Sequence, residues 1–314
     1  MAQERIVVLG GSGFVGRHIV ARLAAADYRV IVPARRREEA KHLILLPTVD
    51  VVEEDIHDPG VLGRLFADAV AVINLVGILN ETGRATFERV HVELARKVVA
   101  ACEAAGVGRL LHMSALGASR DAPSEYLRSK ATGEAAVLAA TDLETTVFRP
   151  SVVFGPEDRF LNLFATLARF LPVLALACPE AKFQPVYVGD VARVMAAALD
   201  EPETFGKRYE LCGPRAYTLR ELVDYVCMVT GRRRLVVGLP YRLSLLQAWM
   251  LEHLPGKLMT RDNVHSMQVP NVCSDAAAVV PGLAPQALEA IAPSYLAPAG
   301  PRERYPQLRW RARR

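Results

Sequence analysis

Short apolar runs alternate with longer amphipathic stretches along the first half of the chain. The apolar runs hold four to six residues each and predict buried strands at Arg5–Leu9, Arg29–Ala34, Val49–Glu53, Val70–Leu75, Gly108–Met113 and Thr145–Phe148. Between them the apolar positions recur with helical spacing, most clearly over Ala85–Ala105 and Glu125–Ala140. This alternation predicts an α/β fold, a Rossmann doubly wound parallel sheet with right-handed crossovers.

The pattern loosens after Pro150, where proline becomes more frequent and short strands interrupt the helices. Tyr209–Leu211 predicts a further strand, and Thr218 with Glu221 forms a capping box that opens another helix. We therefore predict a Rossmann domain over residues 1–150, a smaller C-terminal substrate lobe over 151–297 packed on the sheet edge, and an Arg/Pro-rich tail over 298–314.

A glycine-rich turn follows the first predicted strand. Gly10, Gly13 and Gly16 have the spacing G-x-x-G-x-x-G, and an amphipathic helix comes directly after them. The first glycine allows a sharp turn, the second lets a pyrophosphate approach the backbone, and the third lets the helix pack close to the strand. Free N–H groups and the helix dipole then favour an anion. We predict an NAD(P) site here; the alternative is an ordinary glycine-rich turn.

A second motif pairs Tyr126 with Lys130, four residues apart on one face of a predicted helix. Tyrosine titrates at about pH 10, and a nearby ammonium group favours the phenolate, so we expect Lys130 to lower the pKa of Tyr126. Such a tyrosine can exchange a proton with a substrate hydroxyl or carbonyl. Ser114, at the end of a predicted strand, can hold the same oxygen. We predict that these three residues are catalytic; the alternative is a solvated helix.

Together these motifs resemble the extended and atypical short-chain dehydrogenases/reductases, which include the NAD-dependent epimerase/dehydratase-like proteins. Within that branch the chain most resembles the bacterial relatives of the dehydrogenase-like accessory subunit of respiratory complex I. The resemblance extends from residue 4 to about residue 275. Besides the glycine turn, it is carried by His112–Ala118, Tyr126–Ala131, Arg149–Pro156, Glu157–Asn162 and Phe183–Ala192.

The resemblance implies where a dinucleotide lies. It puts the pyrophosphate against the glycine turn, the adenine near Asp55 and Ile56, and the nicotinamide near Pro150 and Val153. With Lys130 reaching the nicotinamide ribose, the implied cofactor residues are Gly10, Gly13, Phe14, Val15, Gly16, Asp55, Ile56, Leu75, Val76, Gly77, Tyr126, Lys130, Pro150 and Val153.

The residues after the second strand bear on the choice of cofactor. An acidic residue there would bind the ribose 2′-hydroxyl of NAD. The chain instead has Arg35 and Arg36, followed by Arg37, with no carboxylate before Glu38. Guanidinium groups match the oxygens of a 2′-phosphate, so we predict a preference for NADP(H) over NAD(H). The alternative is a basic, solvated turn.

The chain departs from its resemblance at His91. Dehydrogenases of this class often have an asparagine at this point, in the helix after the fourth strand, that supports a proton relay. His91 either replaces it in the relay or packs under the nicotinamide, and we favour packing. The departure puts turnover in doubt but not cofactor binding.

Composition narrows the class of protein. The formal net charge is +4, yet the tail from Pro298 to Arg314 alone holds six arginines and one glutamate. The rest of the chain is therefore slightly acidic, which argues against nucleic-acid binding.

The five cysteines (Cys102, Cys178, Cys212, Cys227 and Cys273) are scattered and odd in number, so we expect reduced thiols in a cytoplasmic protein, with no disulfide and no metal site. We see no signal peptide and no membrane span.

Two segments raise the question of partners. Tyr241–Leu258 is apolar at helical spacing, which predicts either a packed helix, an apolar entrance for a lipid-like or quinone-like substrate, or an interfacial helix. The Arg-rich tail with Trp310 is either solvated or docks on anionic lipid or an acidic partner, including a respiratory complex. The protein would then sit at the inner face of a membrane.

Two functions of different classes fit these patterns. The first is an NADP(H)-dependent oxidoreductase or epimerase-type enzyme that acts on a small molecule through Ser114, Tyr126 and Lys130. The second is a non-catalytic accessory or assembly protein that holds its dinucleotide as a structural cofactor, because a fold does not decide function. The apolar character of the second lobe disfavours a nucleotide-sugar as substrate.

Overall fold

The computed structural model describes residues 3–274, 280 and 282–297. Its centre is a seven-stranded sheet in the order β11-β6-β5-β4-β1-β2-β3, in which every neighbouring pair is parallel. Helices cover both faces of the sheet, which confirms the predicted doubly wound Rossmann fold. The tail from 298 to 314, for which we predicted docking, lies outside the described residues.

The elements of the first half are β1 (Arg5–Leu9), α1 (Phe14–Ala25), β2 (Arg29–Ala34), β3 (Val49–Glu53), α2 (Pro59–Phe66), β4 (Ala71–Asn74), a π-helix (Glu88–Glu93), α3 (Leu94–Ala105), β5 (Arg109–Met113), α4 (Glu125–Leu138) and β6 (Glu144–Pro150). The second half holds β7 (Val153–Phe154), α5 (Phe160–Phe170), β8 (Val173–Ala177), β9 (Lys182–Phe183), β10 (Val186–Tyr187), α6 (Val188–Ala197), β11 (Lys207–Leu211), β12 (Tyr217–Thr218), α7 (Leu219–Val229), β13 (Leu235–Leu239), α8 (Tyr241–Glu252), α9 (Arg261–Ser266), α10 (Leu288–Ile291) and α11 (Pro293–Leu296).

The six predicted strands are all present, and β1, β2 and β3 have the predicted bounds. The helix predicted over 85–105 differs, because its first part is a π-helix that runs into α3. Gly133 of α4 faces this wider turn, and a Cβ atom at Gly133 would collide with the carbonyl oxygen of His91. Glycine therefore lets α4 approach the π-helix closely, which bears on the site described below.

Each strand contributes to two apolar layers because successive side chains point to opposite faces. Ile6 and Val8 pack on one face with α1 and α6, whereas Val7 and Leu9 pack on the other with α2 and α3. Burial on both faces explains why the strands are continuous apolar runs rather than alternating ones.

The chain beyond residue 150 builds a second apolar cluster around α5 and α7, with the short strand pairs β7–β10, β9–β12 and β8–β13 beside it. It also returns to the sheet. β11 pairs with β6 as the seventh strand, and α6 packs on the sheet in the same layer as α1. Much of the segment expected to form the smaller lobe is thus woven into the Rossmann sheet.

The expectation that all five cysteines are reduced is wrong for two of them. Cys212, directly after β11, forms a disulfide with Cys273, which is 61 residues further along the chain. Gln184 brings these two segments together, because its side chain accepts the N–H of Cys273 at 3.0 Å and donates to the carbonyl oxygen of Gly213 at 2.7 Å. This proximity has no signal in the cysteine spacing. Cys102, Cys178 and Cys227 are free.

None of the helices in the described ranges is long and apolar enough to cross a membrane.

A buried carboxylate on α4 joins this helix to β6 and β11, and its contribution to stability can be tested by mutation. Glu134 is almost fully buried and accepts two hydrogen bonds from Arg149, both of 2.8 Å, and one of 3.2 Å from Arg208. We expect Glu134→Ala to lower the free energy of unfolding by about 3 kcal/mol, because it leaves a partly buried guanidinium without its acceptor.

The matched control for this variant is Asp50→Ala. Asp50 forms an ion pair with Arg29 at 3.0 Å on the exposed side of the sheet, where water screens the charges. We expect Asp50→Ala to cost less than about 1 kcal/mol in urea denaturation. Equal losses in the two variants would contradict the role assigned to Glu134.

Candidate functional site

The glycine turn joins β1 to α1 at the carboxyl edge of the sheet. Gly10 has a φ of 78°, in the left-handed region that glycine tolerates. A Cβ atom at Gly16 would collide with the carbonyl oxygen of Gly10, so only glycine allows α1 to begin this close to the turn. Gly13 precedes the helix without a side-chain cap, which leaves the N–H groups of Phe14 and Val15 free for an anion.

The loop after β4 forms the opposite wall of this turn. A Cβ atom at Gly10 would lie 3.3 Å from the carbonyl carbon of Leu75 and from the amide nitrogen of Val76. The Val76 N–H donates to Asn74 Oδ1 at 3.2 Å, which holds the loop in place. Since β4 is the direct neighbour of β1, the segment Leu75–Gly77 and the glycine turn face each other at the carboxyl edge of the sheet.

The residues expected around the adenosine follow β2 and β3. Arg35 and Arg36 are exposed and contact the Glu39 carboxylate only loosely, at 3.8 and 4.0 Å. Asp55 follows β3 and accepts the N–H of His57 through Oδ1 at 3.0 Å. The two guanidinium groups are therefore exposed after the carboxyl end of β2.

Ser114 follows β5 at the same edge. Its backbone N–H donates to Phe148 O at 2.8 Å, yet its buried hydroxyl has no hydrogen-bond partner among the described residues. A buried hydroxyl without a partner is costly, so a ligand oxygen is the expected acceptor or donor there.

Lys130 lies beside this serine. Its side chain is buried, and Nζ donates to the carbonyl oxygen of Met113 at 3.1 Å. A Cβ atom at Gly77 would lie 2.9 Å from the same Nζ, so Gly77 leaves the ammonium group room. Burial lowers the pKa of Lys130 to about 8, and the Glu134 carboxylate opposes that shift. The structure thus brings Ser114, Lys130 and the Gly77 loop together at one end of β5.

Tyr126 stands one turn before Lys130 at the start of α4, which Ser124 caps by accepting the N–H of Leu127. Burial raises the pKa of Tyr126 to about 12. This corrects the expectation of a lowered pKa. The Lys130 ammonium is directed at the Met113 carbonyl and does not offset the burial of the phenol. Tyr126 consequently carries its proton at neutral pH.

His91 lies in the π-helix, with both ring nitrogens engaged. Ile78 N–H donates to Nε2 at 3.1 Å, so the hydrogen bonds assign the ring proton to Nδ1, which donates to Ser129 Oγ at 2.8 Å. The Ser129 hydroxyl donates in turn to the carbonyl oxygen of Tyr126. The ring also stacks on Phe87, with centroids 5.5 Å apart. These contacts support packing and not a proton relay.

Asp262 is a residue that the sequence reasoning missed. It belongs to α9, and its carboxylate accepts the N–H groups of Glu125 at 2.7 Å and Tyr126 at 3.0 Å. It thereby caps the helix that carries Tyr126. No local signal marks it, because 136 residues separate it from Tyr126.

The other wall of the site follows β6. Pro150 accepts the N–H of Leu116 at 3.0 Å, and Val153 lies in β7. Asn271 accepts Ser151 Oγ at 2.7 Å and Val152 N–H at 2.9 Å through Oδ1. The sequence reasoning also missed Asn271, because its position beside Ser151 depends on the bridge to Phe183 of β9.

An open cavity of about 680 Å³ lies in the second lobe, between the segment after β8, the end of β13 and the start of α8. Its lining is mainly apolar and includes Leu239, Pro240, Tyr241 and Met267. Val269, two residues beyond Met267, packs against the cluster of which Tyr126 is part. The cavity therefore adjoins the segment that packs beside Tyr126.

The buried imidazole of His91 is expected to make the free energy of unfolding depend on pH. Burial and the Lys130 charge lower the pKa of His91 to about 2, whereas an unfolded histidine titrates at about 6.5. Between these values the unfolded state binds the extra proton, so stability falls as the pH drops below about 6.5. In urea denaturation between pH 6.5 and 5, we expect the free energy of unfolding to fall by about 1.4 kcal/mol less per pH unit in His91→Gln than in the unmodified protein. His253→Gln, which removes an exposed imidazole, is the control. If the free energy of unfolding depends on pH in His91→Gln as it does in the unmodified protein, His91 takes up its proton in the folded state and the assignment is wrong.

Comparison with known proteins agrees with this architecture. The model of the NAD dependent epimerase/dehydratase family matches residues 6–212. The chain is 35% identical over 288 residues to the mitochondrial NADH dehydrogenase (ubiquinone) 1 alpha subcomplex subunit 9 of Arabidopsis thaliana, covering 86% of this chain and 71% of that protein. It is 33% identical over 242 residues to the ceramide reductase of Caulobacter vibrioides, covering 76% and 74%.

Solved structures share the fold. The crystal structure of gox2253 superposes with a TM-score of 0.72 at 21% identity and covers 94% of this chain and 96% of that one. The glycine turn, the strand order and the matched residues lead to one conclusion: this chain belongs to the NAD dependent epimerase/dehydratase family and is a dinucleotide-binding protein of the extended short-chain dehydrogenase/reductase type, similar to complex I accessory subunits and to reductases.

Proposed function

We propose that this protein is an NADP(H)-dependent oxidoreductase that reduces the carbonyl group of an apolar small molecule. The observation that carries the proposal is the buried, unpartnered hydroxyl of Ser114 beside the buried Lys130 ammonium at the end of β5. A bound oxygen would satisfy this hydroxyl, and a buried cation beside it would stabilise negative charge on that oxygen, which is the pattern of a reactive site.

The cofactor residues divide by the part of the dinucleotide that they suit. The N–H groups behind Gly13 would take the pyrophosphate, and Arg35 with Arg36 would take a ribose 2′-phosphate. Asp55 and Ile56 would flank the adenine. On the other side, Leu75, Val76, Gly77 and Lys130 would hold the nicotinamide ribose, with Pro150 and Val153 against the ring.

The chemistry follows from the protonation states. A reduced dinucleotide, when bound, would supply the hydride that reaches the carbonyl carbon. Ser114 Oγ donates a hydrogen bond to the carbonyl oxygen, and Tyr126 transfers its phenolic proton to that oxygen as negative charge develops there. Burial keeps Tyr126 protonated at neutral pH, which favours the direction of carbonyl reduction. Lys130 supplies positive charge near the resulting phenolate.

Two observations support an apolar substrate. The cavity that adjoins the Tyr126 cluster has a mainly apolar lining, as ligand pockets for apolar molecules do. A relative at 33% identity is a ceramide reductase, whose named substrate is a lipid. We place the protein at the cytoplasmic side of a membrane, where such substrates are found.

A second candidate is an accessory protein of a respiratory complex that holds the dinucleotide structurally. The similarity to a subunit of mitochondrial NADH dehydrogenase favours it, and so does His91, whose fully used nitrogens cannot relay a proton. Contact with the complex would then involve the Arg-rich tail.

Cofactor preference is tested by titration with NADPH and NADH. We expect Arg35→Ser with Arg36→Ser to weaken NADPH binding roughly tenfold or more while leaving NADH binding unchanged, since only NADPH carries the 2′-phosphate. Arg22→Ser, an exposed arginine on α1, is the control. Tighter binding of NADH than of NADPH by the unmodified protein would refute the preference.

Catalysis is tested with Tyr126→Phe, which retains the ring and removes the proton. We expect NADPH to bind as before while its oxidation by apolar ketones slows about a hundredfold or more. Tyr28→Phe removes a phenol on the far side of α1 and should leave turnover unchanged. Turnover that survives Tyr126→Phe would refute the role of Tyr126 as the proton donor, whereas a tightly held NADPH that no ketone oxidises would favour the accessory protein.

A further inference from the structure

Helix α8 is rich in apolar side chains, yet it is largely exposed. Only Ser244 and Ala248 of its residues are fully buried. The side chains of Leu243, Leu246, Trp249 and Met250 are each 48–54% exposed. A surface helix of a water-soluble domain normally presents polar residues on its outer face, so this face differs from the expected pattern.

The exposed residues form one continuous stripe. Leu243, Leu246 and Met250 follow one another at intervals of three and four, which places them on the same side of the helix. Beyond the end of the helix, Leu254 and Leu258 are also more than half exposed. We call this stripe, with Trp249, the α8 face.

The segment that carries the α8 face is rich in basic side chains. Between Gly231 and Asp262 the chain holds six basic and two acidic side chains. Both acids are already engaged, because Glu252 pairs with Arg261 at 2.8 Å and Asp262 caps α4. Arg242 lies on the exposed side of α8 itself.

A second basic border lies beside the helix. Gln247 Nε2 donates to the carbonyl oxygen of Ala175 in β8, which holds α8 against the β8–β13 pair. Arg233 is exposed just before β13, and Arg169 is exposed at the end of α5, beside the exposed ring of Phe170. Apolar side chains in the middle with arginines around them are the composition of a helix that lies in a lipid interface.

We propose that the α8 face inserts into the surface of a bilayer that contains anionic lipids. Its leucines and Met250 enter the acyl region, Trp249 sits at headgroup level, and the arginines contact lipid phosphates. A second copy of the chain fits poorly, because a symmetric contact would bring two positive faces together. The tail, with six arginines and one glutamate, has the same sign of charge and offers the arginines of the α8 face no complementary partner.

The α8 face also leads towards the site. Leu258 lies in a segment that is hydrogen-bonded to the loop after Gly77. Asn263 Nδ2 donates to Leu79 O at 3.3 Å, and Lys257 Nζ donates to Glu81 O at 2.8 Å. Leu79 is itself exposed. The inserted surface would therefore border the loop next to Lys130, although the docking proposal does not depend on the activity proposed above.

The test is sedimentation of the full chain with vesicles. We expect binding to phosphatidylcholine vesicles that contain phosphatidylglycerol, weaker binding to phosphatidylcholine alone, and weakening by salt. Leu246→Glu with Met250→Glu should reduce binding roughly tenfold or more, because both charges would enter the apolar layer. Leu45→Glu is the matched control, since Leu45 is 88% exposed on a loop away from α8. Circular dichroism of each variant checks that the fold is retained.

A second measurement identifies the inserted residue. The chain has two tryptophans, so Trp310→Phe leaves Trp249 as the reporter. We expect its emission to shift to the blue on anionic vesicles and to be quenched by brominated lipids. Full vesicle binding by the Leu246→Glu, Met250→Glu variant would overturn the proposal. So would a Trp249 signal that does not respond, or self-association of the chain, abolished by the same variant, without vesicle binding.

Discussion

The hydrogen bond from Lys130 Nζ to the carbonyl oxygen of Met113 is the contact on which the rest of the site depends. It joins α4 to the end of β5 and buries an ammonium group between two strand-end loops. A buried cation is expensive unless it has acceptors or a compensating charge. Met113 provides the acceptor, and Glu134 provides part of the charge by opposing the fall in the Lys130 pKa. Ser114 and Gly77 lie beside Lys130, and they are the residues that a ligand at this position would contact.

The position of α4 is set from three sides. Asp262 caps its first turn, the π-helix reaches it through His91 and Ser129, and Gly133 lets the two helices approach closely. Asp262 belongs to a helix far along the chain, so the segment beyond residue 250 helps to hold Tyr126 in place. This is why the chain cannot be described as a cofactor domain followed by an independent lobe: its second half returns to the sheet with β11 and to the site with α9.

The state of Tyr126 illustrates how burial and pair interactions compete. The Tyr–Lys spacing favours a lowered tyrosine pKa, but the energy of an ion pair depends on distance and direction. In the structure the ammonium is committed to a backbone carbonyl, so desolvation is the larger effect and the phenol keeps its proton. The phenol of Tyr126 and the unpartnered hydroxyl of Ser114 therefore both carry a proton that they can donate at neutral pH.

Local pattern by itself determined the strands, the glycine turn and the place of Ser114, Tyr126 and Lys130 along the chain. These features depend on periodicity and on backbone freedom within a few residues, which the order of amino acids contains. Tertiary structure alone decided the cap by Asp262, the contact of Ser151 with Asn271, the Cys212–Cys273 disulfide and the direction of the Tyr126 pKa shift. Each of these joins groups that are distant in sequence, or depends on how much water reaches a side chain. Contact across the fold and exclusion of water arise only when the chain is packed, so no local pattern can specify them.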